Sequence, residues 1–158
     1  MNLDMSKLEP LLGTVVNELG AASNGALVIL GDKLGLFRAL AEGAVTSAEL
    51  AKKTGTYERY VREWLSAQAA SGFVEYNKDT KKFSMSPEQA AVFATEGSPV
   101  FMVGGFNLMS AVYSDEPKLV EAFKSGEGMH WGDHSNCLSC GVARFFEPGY
   151  RANLIGEW

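Results

Sequence analysis

Leu30 to Ser86 reads "LGDKLGLFRALAEGAVTSAELAKKTGTYERYVREWLSAQAASGFVEYNKDTKKFSMS", and this stretch decides the fold. Leu34, Leu36, Phe37 and Leu40 recur at helical spacing and predict a short amphipathic helix that stops at Gly43. Thr46 opens the next helix, with Glu49 three residues on, so the hydroxyl and the carboxylate can satisfy each other's exposed amides in a capping box. That helix ends at Lys53 to Gly55. Thr56 is the expected cap of a third helix, in which Tyr57, Val61, Trp64, Leu65 and Gln68 share one stripe until Gly72. "FVEY" and "KFSMS" then alternate around Asn77, Lys78, Asp79 and Thr80, a polar hairpin tip. Three helices followed by two short strands are a winged helix-turn-helix. The predicted fold class is therefore mainly α, with a small two-stranded β wing and flanking N- and C-terminal helices.

The whole chain limits what the wing can mean. Its 158 residues match one domain on size, and 46% hydrophobic with 21% charged residues is a globular composition. A formal charge of −5 argues against a general polyanion binder. Two cysteines cannot make a disulfide framework and no charged-then-apolar leader precedes a cleavage site, so a cytoplasmic protein is expected. The longest strongly apolar run, Val100 to Val112, is shorter than the ~20 residues that span a bilayer. No membrane contact is expected.

A reader of DNA needs base-contacting side chains and cations for phosphates. The outward face of the third helix carries Arg59 and Arg62, but Glu58 and Glu63 stand at helical ion-pair spacing from them. Leu30 to Ser86 holds nine lysines and arginines against seven carboxylates, with Lys78, Lys81 and Lys82 clustered on the wing. Lysines at a sheet edge also protect against strand pairing. A winged-helix transcriptional regulator with a ligand-sensing helical part is thus the alternative reading, with DNA the less expected partner.

The flanks are helical. Pro10 suits a first turn and precedes Leu11, Leu12, Val15, Val16 and Leu19. Small residues from Ala21 to Ala26 then lead into the run Leu27 to Leu30, which is either buried core or a dimer seam. Gly13, Gly20, Gly25 and Gly31 each weaken that helix. Beyond the wing, Ser86, Pro87 and Gln89 mark a strong helix start, and Ser98-Pro99 predicts another. Only Asn107 and Ser110 interrupt the apolar run from Pro99 to Tyr113, so that helix needs cover on more than one side. Gly104 and Gly105 in its middle fit a place where another backbone or a ligand comes close. Ser114 to Pro117 restart a helix ending near Lys124.

The loop "SGEGMHWGDHSNCLSCG" brings together Met129, His130, Trp131 and His134, aromatic area beside a titratable donor or acceptor. His130, His134, Cys137 and Cys140 are all possible zinc ligands. Four ligands within eleven residues are cramped for a tetrahedral site, so two buried thiols and two loop histidines are expected and no metal site is assigned. At the C-terminus Val142, Phe145 and Phe146 form an apolar face, and Tyr150, Leu154, Ile155 and Trp158 fall on a further helical stripe after Pro148-Gly149. No cap closes that stripe, which reads as unfinished and in need of a partner.

"GDKLGLFRAL", "TSAELAKKTGTYERYVREWLSAQAASGFVEY" and "ARFFEPGYRANLIGEW", in this order, resemble the N-terminal region of bacterial class I S-adenosylmethionine-dependent methyltransferases that carry a winged-helix domain. More distantly they are similar to small-molecule O-methyltransferases. The resemblance covers nearly the whole chain. It implies a homodimer through the winged-helix lobe, a small-molecule substrate covered by that lobe, and a following Rossmann-like catalytic domain that binds S-adenosylmethionine. Residues 1–29 are then the dimerisation segment, 30–86 the winged-helix domain and 87–158 the helical lid or linker. Phe106, Trp131, His134 and Tyr150 are the residues implied to face the substrate; no catalytic or cofactor-binding residue is assigned. The acidic-Gly-x-Gly turn that would cradle the donor is absent, because no strand-to-helix glycine turn occurs here. The chain alone is therefore expected not to transfer methyl groups, and His134 has no orienting partner visible in the sequence.

Overall fold

The computed structural model describes residues 3–154. The first element, α1, runs unbroken from Met5 to Lys33, capped by Asp4, whose carboxylate accepts the Ser6 N–H at 3.0 Å. That cap was not foreseen, and it displaces Pro10 from the expected first turn to the sixth helical position. The proline deprives the Ser6 carbonyl of its helical donor, but both residues are exposed, so water can replace the bond. After α1 come α2 (Leu36–Ala41), α3 (Ser47–Thr54) and α4 (Glu58–Ala70), then the wing strands β1 (Glu75–Asn77) and β2 (Lys82–Ser84). The chain continues through α5 (Pro87–Phe93), α6 (Val103–Ser114), α7 (Glu116–Ser125), a single 3₁₀ turn (Trp131–Asp133) and α8 (Asn136–Asn153).

The winged-helix unit follows its local chemistry. Thr46 and Glu49 form the capping box of α3, which Gly55 ends at φ +66°. Ser86 and Gln89 do the same for α5, with Pro87 at its start. Thr56 does not cap α4: its hydroxyl pairs with Thr54 at 2.8 Å, and Tyr57 holds the cap position without a side-chain bond. Tyr57 also leaves the predicted stripe, being 81% exposed, whereas Val61, Trp64, Leu65 and Gln68 are buried as expected. In the wing, Glu75 pairs with Ser84, Tyr76 with Phe83 and Asn77 with Lys82, antiparallel. Asn77 organises the tip by accepting the N–H groups of Asp79 and Thr80, and Phe83 ties the wing to the α2–α3 loop through a two-bond bridge with Val45.

One core joins these elements. Val28, Phe37, Leu40, Leu50, Val61, Trp64, Leu65, Val74, Phe83 and Phe93 are all buried. Each large apolar side chain so placed contributes about 2 kcal/mol. Phe37 meets Trp64 edge-on at 4.8 Å and stacks on Phe93 at 5.2 Å, and the Trp64 indole N–H donates to the Leu27 carbonyl at 2.8 Å. Gly31 makes that seat possible. A Cβ there would stand 2.4 Å from the Trp64 ring and 2.9 Å from Phe37. Gly31→Ala is therefore expected to lower the unfolding free energy by about 2 kcal/mol by overpacking, despite alanine's better helix propensity, as measured by urea denaturation.

Helix α6 starts at Val103, four residues after the expected start at Ser98-Pro99. The Ser98 side chain caps a turn instead, accepting the Val100 N–H, while the Met102 N–H bonds to the Val92 carbonyl and Phe101 enters the core. The helix is not covered all round: Val103 and Ala111 are buried, but Met109, Val112 and Tyr113 stand 45–69% exposed. The glycines explain its covered side. A Cβ on Gly104 would meet the backbone N of Phe145 at 2.5 Å, and one on Gly141 would meet the backbone N of Leu108 at 2.9 Å. Reciprocal glycines thus let α6 and α8 cross with their backbones in contact. Of the two partners expected near this glycine pair, it is a backbone that arrives.

Arg144 of α8 ties that helix pair to the winged-helix core. Its guanidinium grips both oxygens of Asp32, at 2.5 and 2.9 Å, donates to Glu96 at 2.7 Å, and lies 5.0 Å over the Phe101 ring. Arg38 adds bonds to the Asp32 carboxylate at 3.2 Å and to its carbonyl at 3.0 Å. Burial pushes the Asp32 carboxyl up, but the hydrogen bonds and charges of Arg144 and Arg38 outweigh it and leave it below the usual carboxylate range.

Candidate functional site

Three surfaces carry the residues expected to face a ligand. The first is a cleft of about 650 Å³ between α1 and α6. Val15, Leu19, Ala22, Phe106, Met109 and Tyr113 give it apolar walls, and Thr14, Glu18 and Ser110 supply its polar groups. Phe106 forms part of the floor, its ring 3.4 Å from where a Gly25 Cβ would be, so the small residues of α1 admit an aromatic ring there. The cleft is open because α1 outruns the rest of the fold. Leu11, Leu12, Val15, Val16 and Leu19 are 44–64% exposed, a row of large apolar side chains along one helix. The run Leu27 to Leu30 is divided instead: Val28 is fully buried in this chain's own core and Leu30 is half exposed.

The second surface is the loop before α8. Trp131 is 61% exposed and its ring stands 5.7 Å from that of His134. His134 has the orienting partner that the sequence did not reveal: its Nδ1 lies 3.3 Å from the carboxylate of Asp115, nineteen residues earlier. Asp115 is buried at the α6–α7 junction and also accepts the Ser135 N–H at 2.9 Å, with the Lys118 ammonium at 3.5 Å. The Ser135 amide, together with His134 and Lys118, holds the Asp115 carboxyl below its ordinary range against the effect of burial. Lys118 also donates to the Asp133 carbonyl, closing the loop onto α7. With Nδ1–H donated to Asp115, Nε2 of His134 is the nitrogen left to accept a proton or hydrogen bond.

Tyr150 lies on a third surface. It is half exposed on the outer side of α8, its ring 6.2 Å from Phe146, in a groove with Val142, Ala143 and Leu154. Pro148 falls inside α8, so Tyr150 continues that helix and does not begin a new one. Ile155 and Trp158, expected on the same stripe, lie outside the described residues. Trp131 and His134 are therefore neighbours, while Phe106 and Tyr150 belong to separate grooves.

Cys137 and Cys140 are exposed on the first turns of α8, not buried as expected, because α8 turns Gly141 and not its thiols toward α6. Among the described residues no group of three or more His, Cys, Asp or Glu side chains is placed to hold a metal ion. On the face of α4 where a DNA reader would be sought, Arg62 sits 3.9 Å from Glu58, whose carboxylate also takes the Ser47 hydroxyl at 2.7 Å. Lys78 and Lys81 are exposed at the wing tip. No helix among the described residues is long and apolar enough to cross a membrane. The strands of the described residues are the two short ones of the wing, and no strand-to-helix glycine turn of the kind that cradles a nucleotide occurs among them.

Residues 22–95 match the family model described as the Rv2258c-like winged HTH domain. No curated protein matches the chain. Among solved structures, the mitomycin 7-O-methyltransferase MmcR superposes with a TM-score of 0.71 at 19% identity, over 94% of this chain and 47% of that one. CalO1, a methyltransferase in calicheamicin biosynthesis solved in its SAH-bound form, gives 0.67 at 19% identity, over 96% and 47%. An O-methyltransferase family protein from Burkholderia thailandensis gives 0.65 at 16% identity, over 96% and 44%. The chain thus spans about half the length of the solved structures it matches. Identities this low speak to the fold alone. Residues 22–95 are thus similar to the Rv2258c-like winged HTH domain, and the chain as a whole shares its fold with about half of each of these methyltransferase structures.

Proposed function

We propose that this chain is the dimerisation and substrate-covering part of a small-molecule methyltransferase whose donor, S-adenosylmethionine, is held by a following Rossmann-like domain. One observation carries the reading: the uncovered apolar row Leu11, Leu12, Val15, Val16 and Leu19 borders the open α1–α6 cleft. Exposed apolar surface of this extent on a long helix is what a partner helix covers. In a homodimer the partner's α1 and the exposed Met109, Val112 and Tyr113 of α6 would share that cover. Residues 1–29 then supply the seam, 30–86 the winged-helix platform and 87–158 the lid, although the backbone of α1 is continuous across the first boundary.

Phe106, Trp131, His134 and Tyr150 are the proposed substrate-facing residues. Phe106 and Trp131 offer flat apolar area. His134, oriented by Asp115, offers Nε2 to a substrate hydroxyl. Hydrogen exchange tests the seam: the amides from Leu11 to Leu19 are expected to gain protection as protein concentration rises. Equal, weak protection at all concentrations would remove the dimer. Calorimetric titration with the methyl donor is expected to give no binding to this chain, and stoichiometric binding would overturn the division of labour.

A further inference from the structure

Cys137 and Cys140 have no part in the function proposed above, and their placement is specific. Both thiols are exposed, both sit in the first two turns of α8, and a spacing of three puts them on the same helix face. The turn holding Cys137 is tight: the Leu138 N–H bonds the Ser135 carbonyl at 2.9 Å, an i to i+3 bond. Side chains at this helical spacing have Cβ atoms about 5–6 Å apart, and a disulfide needs about 3.5–4.5 Å. The difference can be met at one end. The amide of Cys137 lies in the first turn, where N–H groups have no intrahelical partner, so Cys137 is held in the helix ladder through its carbonyl alone. Cys140 stays fixed, because its neighbour Gly141 is pressed against the backbone of Asn107 and Leu108.

We propose that Cys137 and Cys140 are a thiol–disulfide exchange pair whose oxidant is a small-molecule disulfide. The thiolate of one cysteine attacks a sulfur of the disulfide, forming a mixed disulfide and releasing one thiol. The second cysteine then attacks the protein sulfur of that mixed disulfide, closing the Cys137–Cys140 bond and releasing the other thiol. The protein loses two protons and two electrons; the small disulfide gains both and leaves as two thiols. Exposure of both sulfurs admits the oxidant, and the adjacent resolving thiol keeps the adduct short-lived.

The test is intact-protein mass spectrometry of the folded, reduced chain treated with oxidised glutathione. The expected product has lost two hydrogens, retains no glutathione, has a peptide map linking residues 137 and 140, and returns to the dithiol with a dithiol reductant. Cys137→Ser and Cys140→Ser are each expected to keep one glutathione, because the resolving thiol is gone. Three results would overturn the pair: stable glutathione adducts on the unsubstituted chain, no reaction while circular dichroism reports a folded protein, or a disulfide formed only between two chains.

Discussion

Replacing Arg144 by alanine is expected to lower the unfolding free energy by about 3 kcal/mol, the cost of leaving a mostly buried carboxylate without its main partner. Asp32 is 8% exposed and receives two guanidinium bonds from Arg144, while Arg38 remains as a weaker, half-exposed neighbour. Removing Arg144 also frees Glu96 and uncovers the Phe101 ring, so α8 loses its hold on the winged-helix core as well as a charge pair. Urea unfolding followed by circular dichroism measures the change. The same pair sets an acid limb. A carboxyl held below its unfolded range binds fewer protons in the native state, so its stabilisation is complete above about pH 4–5 and is lost as pH falls through the lowered native value. The Arg144→Ala variant is expected to show a shallower loss of stability between neutral and acid pH than the unsubstituted protein, because that limb is largely gone.

Gly104→Ala is expected to cost as much, about 3 kcal/mol, by a different route. The added methyl would stand 2.5 Å from the backbone N of Phe145 and 2.8 Å from the carbonyl carbon of Arg144, and backbone cannot rotate away as a side chain can. The helices must separate, which pulls Arg144 from Asp32 as well. Loss of stability together with a lower denaturant midpoint is expected, whereas Gly13→Ala, which meets nothing within 4 Å, is expected to leave stability unchanged or slightly raised. Because Gly104 and Arg144 act on one contact, the double variant should lose less than the two single losses together.

What could be read without coordinates follows the range of the interactions. The capping boxes at Thr46–Glu49 and Ser86–Gln89 and the hairpin tip around Asn77 involve partners two or three residues apart, and each forms as its residues indicate. The stripe Val61, Trp64, Leu65 and Gln68 was legible because a helix buries one face. Errors arose where competing local signals stood side by side: Asp4 against Pro10 for the start of α1, Thr56 against Thr54, and a Ser98 hydroxyl that caps a turn where a helix was expected. The ties that bring the distant parts together were out of reach. Asp32 and Arg144 are 112 residues apart and Asp115 and His134 nineteen, and nothing in either local sequence names the other. The glycines of α6 did signal close approach, but not whether a helix or a ligand would arrive.

Assembly bears on the proposed role most directly. On the proposed reading a second copy covers the exposed row on α1, and light scattering on the purified chain over a wide concentration range gives the answer. The account predicts a particle of twice the 17.1 kDa chain mass that reverts to a single chain on Val16→Glu, a change at a position 64% exposed and so harmless to the fold. A single-chain mass for the unsubstituted protein at every concentration would contradict it.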